Sequence, residues 1–191
     1  MQLGGMPLIN YSINASLKSD VNETWVSTDD VQIKSIAKKA GSQVMDRPSE
    51  LATDTILSEE ALVHFAENIE FDILVFLQPT SPLIKYTDIN KALMMMNKYD
   101  SILSAYKEHW LPRWGKYFEP INWNPSNRPR RQDIESRYVE NGALYITKKQ
   151  SLIKTRLRYS GEIGIYEMPF SRSFQIDSKD DVLIVEKMLK L

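Results

Sequence analysis

Leu74-Val75-Phe76-Leu77-Gln78-Pro79-Thr80-Ser81-Pro82-Leu83 is an apolar run that stops abruptly in a polar loop bracketed by prolines. Flanked by helical patterns on both sides, the run suits a parallel strand covered on both faces, and in open α/β sheets ligands collect beyond such strand ends. Pro79 and Pro82 fix φ and remove backbone donors, so the loop is expected to be stiff and to present Gln78, Thr80 and Ser81 outward. The Gln78 amide both donates and accepts, which suits reading the edge of a nucleobase or sugar. The same residues also fit a plain connection in which Thr80 and Ser81 cap the next helix.

Upstream, Leu8, Ile9, Ile13 and Leu17 share one side of a helix over Leu8 to Leu17, and a short strand follows over Thr24 to Ser27. Thr28-Asp29-Asp30 offers capping oxygens to a helix from Val31 to Ala40, which Gly41 ends. Val44 and Met45 begin an extended piece, and a helix from about Ile56 to Asn68 crosses back before the strand Phe71 to Leu77. Downstream, Thr87 is expected to cap a helix over Asp88 to Asn97, with Ile89, Leu93 and Met96 buried, ahead of a strand over Ser101 to Tyr106. Strands over Gly142 to Thr147 and Ile163 to Met168, then a helix over Lys179 to Leu191, complete a β-α-β alternation.

From Lys107 to Asp133 the pattern changes. Pro112, Pro120, Pro125 and Pro129 interrupt Trp110, Trp114 and Trp123, which is unsuited to regular helix but rich in contact area. Such an insertion either covers the site or meets a second subunit. The 191 residues, 42% hydrophobic and 26% charged, suffice for one sizeable core and are read as a single domain over 1–191. A formal net charge of −1, from 24 basic and 25 acidic residues, gives no global field that would gather nucleic acid. Without cysteine there are no disulfides, thiolate metal sites or thiol catalysis. No apolar run reaches membrane-spanning length and the start lacks a signal pattern, so a soluble, cytoplasmic protein is expected. His64 and His109 have no metal-ligand partner at convincing spacing and are assigned to structure.

Pro7-Leu8-Ile9, Val26-Ser27-Thr28-Asp29-Asp30, Arg47-Pro48 with Leu51-Ala52-Thr53-Asp54, the Leu77 to Pro82 loop, Arg130-Arg131-Gln132, Asn141-Gly142-Ala143-Leu144-Tyr145-Ile146 and Ile176-Asp177-Ser178 occur in that order. Together they resemble the acylneuraminate cytidylyltransferases, the CMP-nonulosonic acid synthetases, over nearly the whole chain from Leu3. The resemblance implies a three-layer, doubly wound α/β domain with a mostly parallel sheet, of the nucleotide-diphospho-sugar transferase type. It implies transfer of CMP from CTP to a carboxylated nine-carbon sugar, release of pyrophosphate, Mg²⁺ as cofactor, and a homodimer paired through the 107–133 insertion.

The resemblance carries roles to particular residues. Arg47, Gln78 and Ser81 are expected at the nucleotide, and Arg131, Gln132, Asn141 and Tyr145 at the sugar. Asp177 is expected at the metal, with Asp177 and Gln78 closest to the chemistry. Other readings of the same residues stay open: a surface arginine in a turn for Arg47, a solvated basic cluster for Arg130 and Arg131, a core aromatic for Tyr145, and a helix cap for Asp177. A guanidinium suits a planar carboxylate, which favours Arg131 against an acid sugar. Gln175 stands where the family places a further aspartate, so one charge is lost from the metal side. The family's strand and polar phosphate-binding loop would precede Leu3, and the sequence from Met1 does not supply them. An N-terminally truncated, inactive ligand-binding or subunit-association module is therefore the alternative, as is a related transferase using another nucleotide.

Overall fold

The structure is a computed structural model describing residues 1–190. Strands β1 (Gln2–Leu3) and β2 (Met6–Pro7) form a hairpin that leads into helix α1 (Ile9–Leu17). Strand β3 (Trp25–Thr28) pairs in parallel with β4 (Gln43–Asp46) across helix α2 (Val31–Lys39). Of the expected capping oxygens, Asp30 Oδ1 does the work, accepting the amides of Gln32 and Ile33 at 2.7 and 2.8 Å. Helix α3 (Ser58–Asn68), strand β5 (Ile73–Leu77), helix α4 (Tyr86–Met95) and strand β6 (Ser101–Glu108) follow. The insertion holds a small antiparallel pair, β7 (Arg113–Trp114) with β8 (Pro120–Ile121). Strand β9 (Arg137–Lys148), helix α5 (Lys149–Thr155), strand β10 (Ile163–Glu167) and helix α6 (Lys179–Met188) complete the chain. Leu191, the last residue of the expected final helix, lies outside the described residues.

The main sheet has the order β10-β6-β9-β5. Its β6–β10 pair is parallel, as is β3–β4, whereas β9 runs antiparallel to both of its neighbours. The sheet is therefore mixed, and the connection explains why. No α-helix crosses the sheet between β6 and β9; the chain leaves the end of β6 through the 109–136 insertion, which stays at that end and returns it antiparallel, Glu108 pairing with Arg137. Strands β3 and β5 each leave one edge without a ladder partner among the described residues.

Alternating side chains bury the main sheet on both faces. Ile102, Leu144 and Ile146 pack with Ile89 and Ala92 of α4 and with Met96 just past its end, and Ala15 of α1 joins that cluster. Leu74 and Phe76 point the other way, against Leu62, Val63 and Ala66 of α3 and Leu152 of α5. These are the three expected layers. One cap differs from the sequence expectation: Thr87 lies inside α4, and Asp88 instead closes its first turn by accepting the Lys85 amide at 2.8 Å. Helix α5 has no counterpart in the sequence reading. It is a short helix, with Leu152 its one buried residue, ended by Arg156 in the left-handed region at φ 56°. No described helix is long and apolar enough to cross a membrane.

Candidate functional site

Three chain segments converge beyond the C-terminal end of β5. The loop after β5 turns back on itself through a Ser81 amide bonded to the Gln78 carbonyl at 3.0 Å. The segment ahead of α6 is fastened to that loop, since the Ile176 amide donates to the Thr80 carbonyl at 2.8 Å. The N-terminal half of β9 supplies the third wall: Gln175 Nε2 donates to the Asn141 carbonyl at 2.5 Å. Gly142 sits between the glutamines at φ 65°, a conformation that favours glycine. A Cβ built there would lie 2.5 Å from both Gln78 Oε1 and Gln175 Nε2, so the two amides flank it closely. Gln175 enters this cluster although the sequence reading treats it only as a missing aspartate.

Asp177 follows directly. Ser178, not Asp177, caps α6: its hydroxyl accepts the Asp181 amide at 3.4 Å, while Asp181 Oδ2 accepts the amides of Ser178 at 2.7 Å and Asp177 at 3.1 Å. Hydrogen bonds from the Ser178 hydroxyl first, then from those amides, hold the Asp181 carboxyl below its usual range. The exposed carboxylate of Asp177 makes no hydrogen bond or ion pair among the described residues. Among the described residues no group of three or more His, Cys, Asp or Glu side chains could hold a metal ion. Asp177 offers one charged oxygen and Gln175 a neutral one, a donor set that would fit a hard cation only if further oxygens came from outside the protein.

Arg47, expected at the nucleotide, directly follows the end of β4. Its amide donates to the Thr28 carbonyl at 3.2 Å and its Nη2 lies 4.0 Å from Asp29 Oδ1. Arg47 Nε and Ser81 Oγ are both buried without a hydrogen-bond partner among the described residues. Ser81 is 2% exposed, so it does not present outward as the proline-bracketed loop suggested. The tight turn from Gln78 folds it inward with buried Pro82, Leu83 and Ile84.

The residues expected at the sugar divide into two kinds. Asn141 is buried and internally committed: Oδ1 accepts from the Ser104 hydroxyl at 2.6 Å and the Ala143 amide at 3.2 Å, and Nδ2 donates to Ser173 Oγ at 2.9 Å. Tyr145 is likewise internal, stacked between Phe76 and Tyr159 with ring centroids 5.9 and 6.2 Å away. The Arg158 guanidinium lies 4.9 Å from its ring centroid, and its hydroxyl donates to Glu140. Burial, then the Glu140 carboxylate, pushes the Tyr145 hydroxyl well above the usual tyrosine value. Arg131 and Gln132, by contrast, are exposed in a short turn over Arg131–Asp133. Arg130 is engaged by Asp133 through two bonds of 2.7 and 2.9 Å, while Arg131 has no such partner among the described residues. Among the described residues no hydrogen bond joins Arg47, Arg131 or Gln132 to the Gln78–Gln175 cluster.

This architecture has solved counterparts. The chain aligns over its full length, with a TM-score of 0.74 at 10% identity, to 88% of 4-diphosphocytidyl-2C-methyl-D-erythritol synthase from Anaerococcus prevotii. It aligns equally completely, at 0.70 and 18% identity, to 90% of a CMP:2-keto-3-deoxy-manno-octonic acid synthetase complexed with CTP. These likenesses show the nucleotide-diphospho-sugar transferase fold. In sequence, the chain is 35% identical to N-acylneuraminate cytidylyltransferase A of Danio rerio and 29% identical to the N-acylneuraminate cytidylyltransferase of Streptococcus agalactiae. The alignments cover 97% and 96% of the chain but 45% and 47% of those relatives, so the chain spans about half their length. The sequence model of the cytidylyltransferase family matches residues 1–191. The chain belongs to the cytidylyltransferase family.

Proposed function

We propose that this chain carries the nucleotidyl-transfer site of a CMP-nonulosonic acid synthetase, which joins CMP from CTP to a carboxylated nine-carbon sugar and releases pyrophosphate. The observation that carries the reading is the meeting of Gln78 and Gln175 around Gly142, with the unpaired Asp177 carboxylate next to the Thr80-anchored Ile176. The names of the sequence relatives support the acid sugar as acceptor. In this reaction the sugar hydroxyl attacks the α-phosphorus and the bond to pyrophosphate breaks, so the protein chiefly positions groups and stabilises charge.

Gln78, with Ser81 and Arg47, holds the nucleotide; Arg131 and Gln132 meet the acceptor, Arg131 at its carboxylate. Asn141 and Tyr145 act from behind, as struts for the wall that carries Gly142. Mg²⁺, when bound, would neutralise charge on the phosphates, with Asp177 and the Gln175 carbonyl as protein oxygens. The insertion pairs two copies through exposed Tyr117 and Phe118, which are 81% and 85% exposed. A monomeric mass at micromolar concentration would contradict that pairing. The reaction draws on CTP, in keeping with a cytoplasmic site of action.

A second reading, a ligand-binding module without turnover, is favoured by the open edges of β3 and β5. Pyrophosphate release with each of the four nucleoside triphosphates, with and without N-acetylneuraminate and Mg²⁺, separates the readings. Release that needs CTP, the acid sugar and the cation together supports transfer. Calorimetric binding of CTP without release supports the module, and release with another nucleotide assigns a different donor.

A further inference from the structure

Asp88 is the one charged side chain among the described residues that is fully buried, at 1% exposure, and every acceptor position it has is used. Its Oδ1 accepts from Arg172 Nη2 at 2.8 Å and from the Tyr166 hydroxyl at 2.9 Å. Its Oδ2 accepts from the Lys85 amide at 2.8 Å and from Arg172 Nη1. The guanidinium thus grips the carboxylate with both arms, a geometry that lysine cannot reproduce.

The two partners sit directly behind the two site segments that meet at a single backbone hydrogen bond. Asp88 lies in the first turn of α4, just past the loop that carries Gln78 and Ser81. Arg172 ends the short turn Phe170–Arg172, from which the chain runs straight into Gln175 and Asp177. On the site side these segments are joined by the Ile176 amide and the Thr80 carbonyl. The second segment is also tied to β9, where Gln175 donates to the Asn141 carbonyl at 2.5 Å and Asn141 Nδ2 donates to Ser173 Oγ at 2.9 Å. Its direct backbone tie to the Gln78 loop is that one bond, and the fork in the core behind it adds a second fixed point between the two.

We infer that the Asp88–Arg172 pair positions the site, setting the placement of Gln175 and Asp177 against the Gln78 loop. What the site does rests on the proposed function; the positioning itself rests on the geometry alone. Arg172→Lys is the informative variant, because it keeps the charge beside Asp88 and so spares the fold that Arg172→Ala endangers. Amide exchange followed by NMR should quicken at Ile176 by at least tenfold, with Leu144 and Ile146 unchanged. In turnover with CTP, N-acetylneuraminate and Mg²⁺, kcat should fall at least tenfold and half-saturating Mg²⁺ should rise, while KM for CTP stays within twofold. Unchanged exchange at Ile176, or a uniform rise at all three amides, overturns the inference in favour of a general structural role. An unchanged kcat alongside faster Ile176 exchange overturns it too, since the loosened segment would then not matter to the site. If the unsubstituted protein shows no transfer but Ile176 exchange responds as stated, the positioning stands and the proposed reaction fails.

Discussion

Gly142→Ala separates the cost of a backbone conformation from the cost of crowding the site. The residue is held at φ 65°, where an L side chain costs about 1–2 kcal/mol. The new methyl group would also stand 2.5 Å from Gln78 Oε1 and Gln175 Nε2, so both amides must swing aside. They are the ends of flexible side chains, which makes the move inexpensive for the fold. Losing the bond from Gln175 to the Asn141 carbonyl adds about 0.5–1.5 kcal/mol. A total near 2–3 kcal/mol lowers the melting temperature by roughly 4–12 °C for a domain of this size. The functional cost is larger, because displacing groups that align a substrate by about 1 Å can cost on the order of 100-fold in rate. Gly5→Ala is the control: Gly5 also sits at positive φ, 82°, yet nothing lies within 4 Å of its added methyl group. Both variants should melt early, and only Gly142→Ala should lose pyrophosphate release, or CTP affinity by calorimetry. Equal activity in the two variants would refute the placement of the glutamines around Gly142.

Asp177→Asn should raise the Mg²⁺ concentration needed for half-maximal turnover by an order of magnitude or more with little change in melting temperature, since Ser178 and not Asp177 caps α6. Arg131→Ala should raise KM for the acid sugar far more than KM for CTP; equal changes would remove Arg131 from the acceptor side. Burial opposes ionisation of Asp88, but Arg172, the Lys85 amide and Tyr166 outweigh it and hold its carboxyl below the usual range. The resulting stability is present above the unfolded value of about 3.9 and is lost as pH falls through the lower folded value. Urea midpoints should therefore drop steeply below about pH 4, and Asp88→Asn should flatten that drop.

What could be read from the sequence was local. The α2 pattern and its Asp30 cap lie within a few residues of each other, as do the strand and loop of 74–83, and these elements form where expected. However, β5 pairs antiparallel with β9 instead of in parallel and Ser81 turns inward, both set by distant chain. The direction of β9 was not legible, because it depends on how the insertion closes rather than on the residues of the strand. The alternatives at 177–178 were also beyond sequence reach, since Asp177 and Ser178 are both capable caps and the choice is made by Asp181 one turn on. The motif places Asn141 and Tyr145 at the sugar, yet partners 32 to 37 residues away for Asn141, and Arg158 and Phe76 for Tyr145, turn both inward. The pairing of Asp88 with Arg172 spans 84 residues and leaves no periodic trace. Gln175 was visible only as a departure from a motif. Its role emerges when the Asn141 carbonyl and Gly142 are brought beside it.

If this site transfers CMP to an acid sugar, the α-phosphorus of CTP must end up in the sugar product. With CTP labelled at the α-phosphate, N-acetylneuraminate and Mg²⁺, the label should move into a CMP-sugar in equal amount to the pyrophosphate released, and Gly142→Ala should slow that transfer by on the order of 100-fold. Label that remains in CTP, or appears as free CMP whether or not the sugar is present, would contradict it.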